Sequence, residues 1–370
     1  NAATGAPVVP EQVAHRIATS PQPGGTTPGS ARNVTLADDQ VTAVLAIATS
    51  GRQLDVLVGP AGTGKTTTLR ALRAAWETTH GRGSVLGLAP SATAAHELSA
   101  ALGIPCENTA KWLHDSTGPG AQQRAAVIDG LAERRARAGA QGDAAAIRRI
   151  DAASGALQRE QQRWSLRAGQ LLVVDEASLA GTLALDALRE QAVNAGAKVL
   201  LVGDHHQLSS VDAGGAFRLL ADQATGVELR SLWRFRHRWE AWATRRLRHG
   251  DPEVIGEYEA RGRIQAGPAE AMLEAAYRGW QDSERAGQAA VLVAADTRTV
   301  EALNTRAHDD RVAAGLVAAD GVPLGAQGER GHAGTGDRVV TRLNQRRLAV
   351  PGHGHVRNGS LWTVVATHPD

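Results

Sequence analysis

The sequence has one cysteine, Cys106, and one methionine, Met272, in 370 residues. A single thiol excludes an internal disulfide and is compatible with a reducing compartment. Long apolar runs are also missing: none approaches the ~20 residues that a membrane-spanning helix needs, and no signal-peptide core is present. We therefore expect a soluble, cytoplasmic protein with no membrane insertion. Because the sequence starts at Asn1 rather than at methionine, we also expect it to be a piece of a longer chain.

Lysine is scarce as well, with three residues against 37 arginines. The net charge is only +2, but the arginines cluster at 134–137, 148–149, 230–238, 245–248 and 346–347. Guanidinium groups suit the phosphates of a nucleic-acid backbone. The alternative for any one cluster is a solvated surface, and the sequence leaves both open. With so few lysines, the one at position 65 indicates a chemical requirement there.

That lysine lies in a glycine-rich segment between an apolar run and a helical pattern. Gly59-Pro60-Ala61-Gly62-Thr63-Gly64-Lys65-Thr66 has the spacing G-x-x-x-x-G-K-T, after a predicted strand at 54–58 and before a predicted helix at 65–76. This context is typical of a phosphate-binding loop, in which backbone N–H groups and a helix N-terminus hold phosphate oxygens. We predict that the segment from Gly59 to Thr67 binds a nucleotide. Lys65 would contact the β- and γ-phosphates, and Thr66 would contact Mg²⁺.

Polar side chains follow two further predicted strands. Asp175 and Glu176 come directly after the apolar residues Leu171–Val174. Downstream of a phosphate loop, such a pair predicts that Asp175 holds Mg²⁺ and that Glu176 polarises the attacking water. The next predicted strand, 198–203, is followed by Gln207. We expect Gln207 to sense a γ-phosphate.

Other side chains have candidate roles at a nucleotide or at DNA. Gln40, in a predicted helix just upstream of the loop, can present its amide to an adenine edge. Arg234 is the candidate arginine finger, expected from a second domain. Trp112 is either a stacking surface for a nucleic-acid strand or a core residue. His205 and His206 have no further metal ligands at a suitable spacing, so we expect no metal site there.

The remaining segments predict the organisation of the chain. Residues 1–31 are rich in Pro, Gly, Ser and Thr, which predicts a disordered linker. Residues 115–168 have two stretches of helical spacing around a glycine-containing break, which predicts an inserted helical hairpin. Residues 288–294 predict another buried strand. Segments 336–342 and 359–365 alternate apolar and polar residues, as in a small β-barrel.

An ordered set of motifs resembles that of a superfamily 1 DNA helicase of the RecD-like branch. The set consists of Gln40, the loop 59–66, Ala89-Pro90-Ser91, Asp175-Glu176, Gly203-Asp204 with Gln207, and Arg234. The resemblance is greatest to the helicase region of conjugative relaxase-helicases of the TraA/TrwC type. It implies hydrolysis of ATP with Mg²⁺ and 5′-to-3′ movement along single-stranded DNA. It also implies that Gln40 contacts adenine and that Gln207 and Arg234 contact the γ-phosphate.

The same resemblance covers residues 33–370 and implies an α/β fold of the P-loop NTPase type. A RecA-like domain with a parallel sheet and the helical insertion is expected at 32–228. The start of a second RecA-like domain is expected at 229–315. The start of an SH3-like β-barrel insertion is expected at 316–370.

Parts of the family pattern are not found in this sequence. The later motifs, a Gly-x-Thr segment that ends in Gln-Gly and a final strand with a second arginine, are missing; Gln327-Gly328 stands without the required threonine. The upstream nicking domain, with its tyrosine and three-histidine metal site, is missing too. We therefore expect a fragment with an unfinished second motor domain, joined covalently to an upstream relaxase domain. Such a fragment would bind Mg-ATP weakly and would not unwind duplexes alone.

Three alternative functions remain open from the sequence. One is a RecD-like helicase associated with an exonuclease. Another is a P-loop phosphotransferase of another class, which would leave Gln207 and Arg234 without a role. The last is a non-enzymatic DNA-binding remnant, which would explain the arginine clusters but not the phosphate loop.

Overall fold

Six apolar segments of the chain form one parallel sheet in the computed structural model, which describes residues 5–22, 33–207, 215–223, 226–324, 331–351 and 354–368. The strands are β1 (Leu54–Val58), β2 (Val85–Ala89), β3 (Cys106–Asn108), β4 (Leu171–Val174), β5 (Lys198–Gly203) and β6 (Val227–Glu228). Their order is β3-β2-β4-β5-β1-β6, and every neighbouring pair is parallel. The central strands β4 and β5 are buried along their whole length, as expected for strands rich in Leu and Val.

Helices cover both faces of this sheet. Along the chain, the helices up to residue 248 are α1 (Glu11–Thr19), α2 (Asp38–Thr49), α3 (Lys65–His80), α4 (Ala92–Leu102), α5 (Thr109–Ser116), α6 (Pro119–Ala140), α7 (Ala144–Arg163), α8 (Thr182–Ala195), α9 (Ala216–Gln223) and α10 (Arg238–Arg248). One core contains Ile47 of α2 and Trp76 of α3, and the other contains Leu188 of α8 and Phe217 of α9. This two-faced arrangement confirms the predicted α/β class. In the described part of the chain, no helix combines the length and apolar character needed to cross a bilayer.

The chain divides into two units, Asn1–Ala241 and Trp242–Asp370. The division falls later than residue 229, where a second domain was expected to begin. Leu229 is fully buried in the core of the first unit, and its N–H donates to the Val58 carbonyl at 2.8 Å. The segment that follows β6, including Arg234, therefore belongs to the first unit.

The N-terminal segment carries a helix that packs on this core. Val9 and Ala14 are buried between α1, α2 and α3, and the Val9 N–H donates to the Ala48 carbonyl at 2.7 Å. The predicted disordered linker at 1–31 is therefore wrong for residues 5–22. Small apolar residues at helical spacing bury there, although the composition of the whole stretch is polar. The rest of the stretch lies outside the described residues.

A helical pair interrupts the sheet between β3 and β4, as the pattern at 115–168 predicts. It consists of α6 and α7, which pack against each other and are joined by a short turn. Beside it, Trp112 is 2% exposed, lies edge-on to Trp164 at 5.9 Å and donates its indole N–H to Gln191 Oε1 at 3.0 Å. Trp112 is thus a core residue, and its alternative role as a stacking surface for DNA is wrong.

The second unit has helices followed by short antiparallel strands. They are α11 (Ile255–Glu259), α12 (Ala269–Arg285), α13 (Thr297–Ala313), β7 (Val322–Pro323), β8 (His332–Ala333), β9 (Arg338–Val340), β10 (Gln345–Val350), β11 (Gly354–Val356) and β12 (Leu361–Thr363). The segments predicted as strands at 336–342 and 359–365 contain β9 and β12, which pair with Val339 opposite Trp362. The Gln-Gly pair at 327–328 lies outside the described residues.

The buried strand predicted at 288–294 is wrong. No strand forms there, and Val291 and Val293 are 87% and 84% exposed. An apolar run becomes a buried strand only where neighbouring strands bond to it and other elements cover it. Among the described residues, this segment pairs with no strand.

A buried ion pair links the first and fifth strands of the sheet. Lys198 Nζ lies 2.8 Å from Asp55 Oδ2, and neither side chain is more than 1% exposed. Burial lowers the pKa of Lys198, while the charge of Asp55 opposes that effect. The ammonium also donates to the carbonyl oxygens of Ile47, at 3.0 Å, and Ser50 near the end of α2. This contact joins α2 to the strand that leads into the phosphate loop.

We predict that Lys198→Ala lowers the free energy of unfolding by about 3–5 kcal/mol, because it leaves the buried Asp55 carboxylate without its partner. The matched control is Arg189→Ala, which removes an exposed ion pair with Asp186 and should cost at most about 1 kcal/mol. Urea unfolding followed by circular dichroism measures both. Equal costs for the two variants would show that the buried pair is not a principal contact of the fold.

Candidate nucleotide-binding site

Residues 59–64 connect β1 to α3 as a tight loop whose glycines are required. Gly62 and Gly64 have φ values of +88° and +82°, a conformation that favours glycine. A Cβ atom on Gly64 would collide with Gln40 Nε2, and one on Gly62 would lie 2.8 Å from Arg234 Cβ. Gln40 and Arg234 can therefore lie this close to the loop only because Gly64 and Gly62 have no side chains.

Lys65 begins α3 and reaches back across the loop. Its Nζ donates to the Gly59 carbonyl at 2.9 Å and lies 3.8 Å from Glu176 Oε1. The N-terminus of α3 directs its unpaired N–H groups and positive dipole end to the same region. Thr66 is exposed and Thr67 is partly buried. The loop thus presents a positively charged surface, rich in N–H donors, that suits phosphate.

Gln40 lies beneath this loop and is only 3% exposed. Its Nε2 donates to the Thr63 carbonyl at 3.1 Å, and its Oε1 accepts the Ala37 N–H at 3.0 Å. Thr63 in turn donates its hydroxyl to the Pro60 carbonyl at 2.8 Å, while Ala61 is exposed at the tip. Gln40 was expected to contact adenine, but both ends of its amide bond to backbone here. The start of α2 lies so close to the loop that the amide braces the loop, and its contact with adenine stays a prediction.

Asp175 and Glu176 follow β4 at the same edge of the sheet. The Asp175 N–H donates to the Leu88 carbonyl at 2.8 Å, which extends the ladder between β2 and β4. Burial raises the pKa of Asp175, and the neighbouring Glu176 charge raises it further, while Lys65 acts against both. A divalent cation beside this carboxylate would favour its ionised form.

Glu176 carries backbone strain and an unsatisfied oxygen. Its φ of 48° is the one positive value at a non-glycine residue in the described part of the chain. Its Oε2 is buried and has no hydrogen-bond partner among the described residues. Strained backbone and buried unpaired polar atoms are found at functional sites. The pair Asp175-Glu176 therefore fits the predicted roles of holding Mg²⁺ and orienting a water.

The end of β5 lies beside the loop as well. The Gly203 carbonyl accepts the Gly59 N–H at 3.0 Å, and Asp204, the next residue, is 3% exposed. Gln207 is exposed in the turn that follows, and its role at the γ-phosphate stays a prediction. His205 belongs to the same turn, and within the described ranges no three His, Cys, Asp or Glu side chains gather as a metal site. A cation here would need phosphate oxygens among its ligands.

Arg234 lies on the phosphate loop within the first unit. The backbone N–H of the preceding residue, Trp233, donates to the Gly62 carbonyl at 2.9 Å. The aliphatic part of the Arg234 side chain covers Gly62. Arg234 was expected to arrive from a second domain, and this part of the prediction is corrected. The backbone that carries it continues directly from β6, the edge strand beside β1. Its exposed guanidinium is therefore already near the loop.

Sequence reasoning missed two residues of this site. Trp233 is 64% exposed and lies against Gly64, and Asp39 at the start of α2 accepts backbone N–H groups of the segment before Trp233. No local signal distinguishes Asp39 from its neighbour Asp38. Trp233 is part of a stretch rich in Arg and Trp, and this composition is a signal that could have placed it at the site.

Residues 35–269 match the model of one protein family, described as the AAA domain. The chain belongs to the AAA domain family. This membership confirms the expectation of an ATP-hydrolysing P-loop enzyme. The AAA match includes the loop, both strand-end motifs and Arg234, and it crosses the division between the two units.

Curated relatives of this AAA chain carry the name of a transfer protein. Conjugal transfer protein TraA of Rhizobium radiobacter is 28% identical over 340 residues, which are 91% of this chain and 27% of the relative. A probable conjugal transfer protein TraA of Sinorhizobium fredii is 28% identical over 90% of this chain and 26% of its own length. The chain spans about a quarter of the length of these relatives. The resemblance to TraA-type proteins, stated above from the motifs, is thus confirmed.

Solved structures with partial similarity to this AAA chain are helicases by name. The Pif1 helicase of Candida albicans has a TM-score of 0.43 and 16% identity, over 90% of this chain and 69% of that one. Pif1 of a Bacteroides species in complex with ADP-AlF4 has a TM-score of 0.39 and 14% identity, over 91% and 71%. Both TM-scores are below 0.5, and we draw nothing further from these similarities.

Proposed function

We propose that the chain is the motor part of an ATP-driven DNA helicase that acts in conjugative DNA transfer. The observation that carries this proposal is the gathering of Lys65, Glu176 and Arg234 around one phosphate loop within the first unit. A loop with only the lysine would support nucleotide binding in many classes of protein. A water-orienting carboxylate and an arginine beside the same loop favour hydrolysis of a γ-phosphate.

Different residues of the site would serve nucleotide binding and hydrolysis. The loop N–H groups and Lys65 would hold the β- and γ-phosphates of ATP, with Thr66 and Asp175 on the metal. Mg²⁺, when bound, would neutralise charge that develops on the phosphate oxygens. Glu176 would accept a hydrogen bond from the attacking water through its unpaired oxygen. Arg234, with Gln207, would contact the γ-phosphate and stabilise its transfer.

Single-stranded DNA is the proposed track for this motor. The name conjugal transfer protein, shared by the curated relatives, supports a role on transferred DNA. The arginine clusters suit a phosphate backbone. Polarity from 5′ to 3′, a cytoplasmic location and an upstream relaxase domain in the same chain are parts of the proposal that rest on the resemblance. The SH3-like character of the strands in the second unit rests on it too.

The nucleotide chemistry is tested with two site variants. We predict that Lys65→Ala weakens Mg-ATP binding about 10- to 100-fold, because it removes a charge-assisted hydrogen bond to phosphate. Glu176→Gln should keep the ATP affinity and lose turnover, since the amide cannot accept a proton from water. Isothermal titration calorimetry and a phosphate-release assay measure the two properties.

The control for these variants is Lys111→Ala, which removes a lysine paired with Asp115 away from the loop. It should leave ATP affinity unchanged. Unchanged affinity in Lys65→Ala, or unchanged turnover in Glu176→Gln, would contradict the role assigned to that residue.

DNA binding gives a second prediction. Affinity for single strands should exceed that for duplexes, tolerate any sequence, and fall with salt at a slope of about −0.7 per phosphate contact. Fluorescence anisotropy of labelled oligonucleotides between about 50 and 200 mM salt measures it. Lys65→Ala should keep this binding, because the loop contacts nucleotide rather than DNA. Affinity that does not change with ionic strength would contradict a DNA track, and ATP hydrolysis without stimulation by DNA would favour a phosphotransferase.

A further inference from the structure

Asp39 accepts three backbone N–H groups with one carboxylate. Its Oδ2 accepts from Arg230 and from Ser231, each at 2.8 Å, and its Oδ1 accepts from Gln40 at 3.0 Å. Arg230 is 191 residues further along the chain. The carboxylate therefore fixes two consecutive peptide groups of a distant segment on the start of α2.

The segment fixed in this way is the one that leads to Arg234. Ser231 is bound by Asp39, and two residues later the Trp233 N–H is bound by the Gly62 carbonyl at 2.9 Å. Between these two anchors the backbone has little freedom, because peptide groups are planar and each bond fixes a direction. Arg234 follows the second anchor directly, so its stem is held over Gly62.

Gln40, the next residue after Asp39, holds the phosphate loop. Its amide donates to the Thr63 carbonyl at 3.1 Å, while its own N–H is bound by Asp39. Two consecutive residues of α2 thus hold the phosphate loop and the arginine segment in one arrangement.

The ionised form of Asp39 is the one suited to this task. Burial raises the pKa of Asp39, but the N–H groups of Ser231 and Arg230, the Ser231 hydroxyl and the Gln40 N–H lower it more, so it lies below its usual value. A charged acceptor forms shorter and stronger hydrogen bonds than a neutral one.

We propose that Asp39 is a positioning residue for Arg234: it fixes residues 230–231 so that the arginine stands at the γ-phosphate position of the loop. The inference rests on the proposed function, because the arginine acts only if a nucleotide triphosphate binds there. Asp39 itself touches no substrate. Its effect should therefore appear in the discrimination between ATP and ADP rather than in nucleotide binding as such.

The test compares affinities for Mg-ATP and Mg-ADP by isothermal titration calorimetry on the whole chain. In the unmodified protein, ATP should bind more tightly than ADP, since Arg234 meets only the γ-phosphate. Asp39→Ala and Arg234→Ala should each lower the ratio of the two affinities about tenfold, the effect of one charge-assisted contact, and leave ADP affinity unchanged. The double variant should equal the single variants, because both act through one contact.

Asp38→Ala is the matched control, since Asp38 is an exposed carboxylate in the same first turn of α2. It removes the same charge from the helix N-terminus as Asp39→Ala does, and it should leave the ratio of ATP to ADP affinity unchanged. Asp39→Asn keeps the size and one acceptor oxygen, should give a smaller fall in the ratio, and replaces the alanine variant if that one does not fold.

Several results would overturn the inference. They are an equal loss of ATP and ADP affinity in Asp39→Ala, an unchanged ratio, and effects of Asp39→Ala and Arg234→Ala that multiply in the double variant. The first would mean that Asp39 only supports the fold. An unmodified protein that binds neither nucleotide would instead overturn the proposed function, and the inference with it.

Discussion

The hydrogen bond from the Trp233 N–H to the Gly62 carbonyl, at 2.9 Å, is the contact on which the site depends. It holds the segment after β6 against the phosphate loop, at a position where the loop has no side chain. A Cβ atom at Gly62 would lie within 3.0 Å of three atoms of the Arg234 side chain. The glycine therefore serves two purposes: it gives the loop its left-handed turn, and it leaves room for the arginine.

The parallel sheet brings the remaining groups to the same edge. Carboxyl ends of parallel strands share one edge, where ligands bind in open α/β sheets. Because β5 stands between β1 and β4, Lys65 must reach past a strand to come within 3.8 Å of Glu176. Glu176, whose backbone is strained, has one carboxylate oxygen near the lysine, and its other oxygen has no hydrogen-bond partner among the described residues. Charge, strain and burial thus concentrate at the edge of the sheet beside the phosphate loop.

The sequence predicts those parts of the structure that short-range chemistry determines. The strand Leu54–Val58, the helix start at Lys65, and the strand before Asp175 follow from apolar runs and the glycine spacing, and the structure has all three. Such features require no knowledge of what packs against them.

Contacts between distant parts of the chain could not be predicted in this way. Asp39 differs from Asp38 only through its bonds to the backbone at 230–231, far along the chain. Gln40 turned inward because α2 lies beneath the loop. Val291, in an apolar run, stayed exposed because a strand needs partners that its own residues do not specify. In each case the deciding neighbour is set by the tertiary fold.

The central claim is that the phosphate loop, Glu176 and Arg234 form one site for a nucleotide triphosphate. Hydrogen–deuterium exchange of the whole chain, compared with Mg-ATP, with Mg-ADP and without nucleotide, tests it most directly. The account predicts that both nucleotides slow exchange at 59–67, and that only ATP also slows exchange at 175–177 and 230–235. Protection by ATP that stays confined to the loop would contradict it.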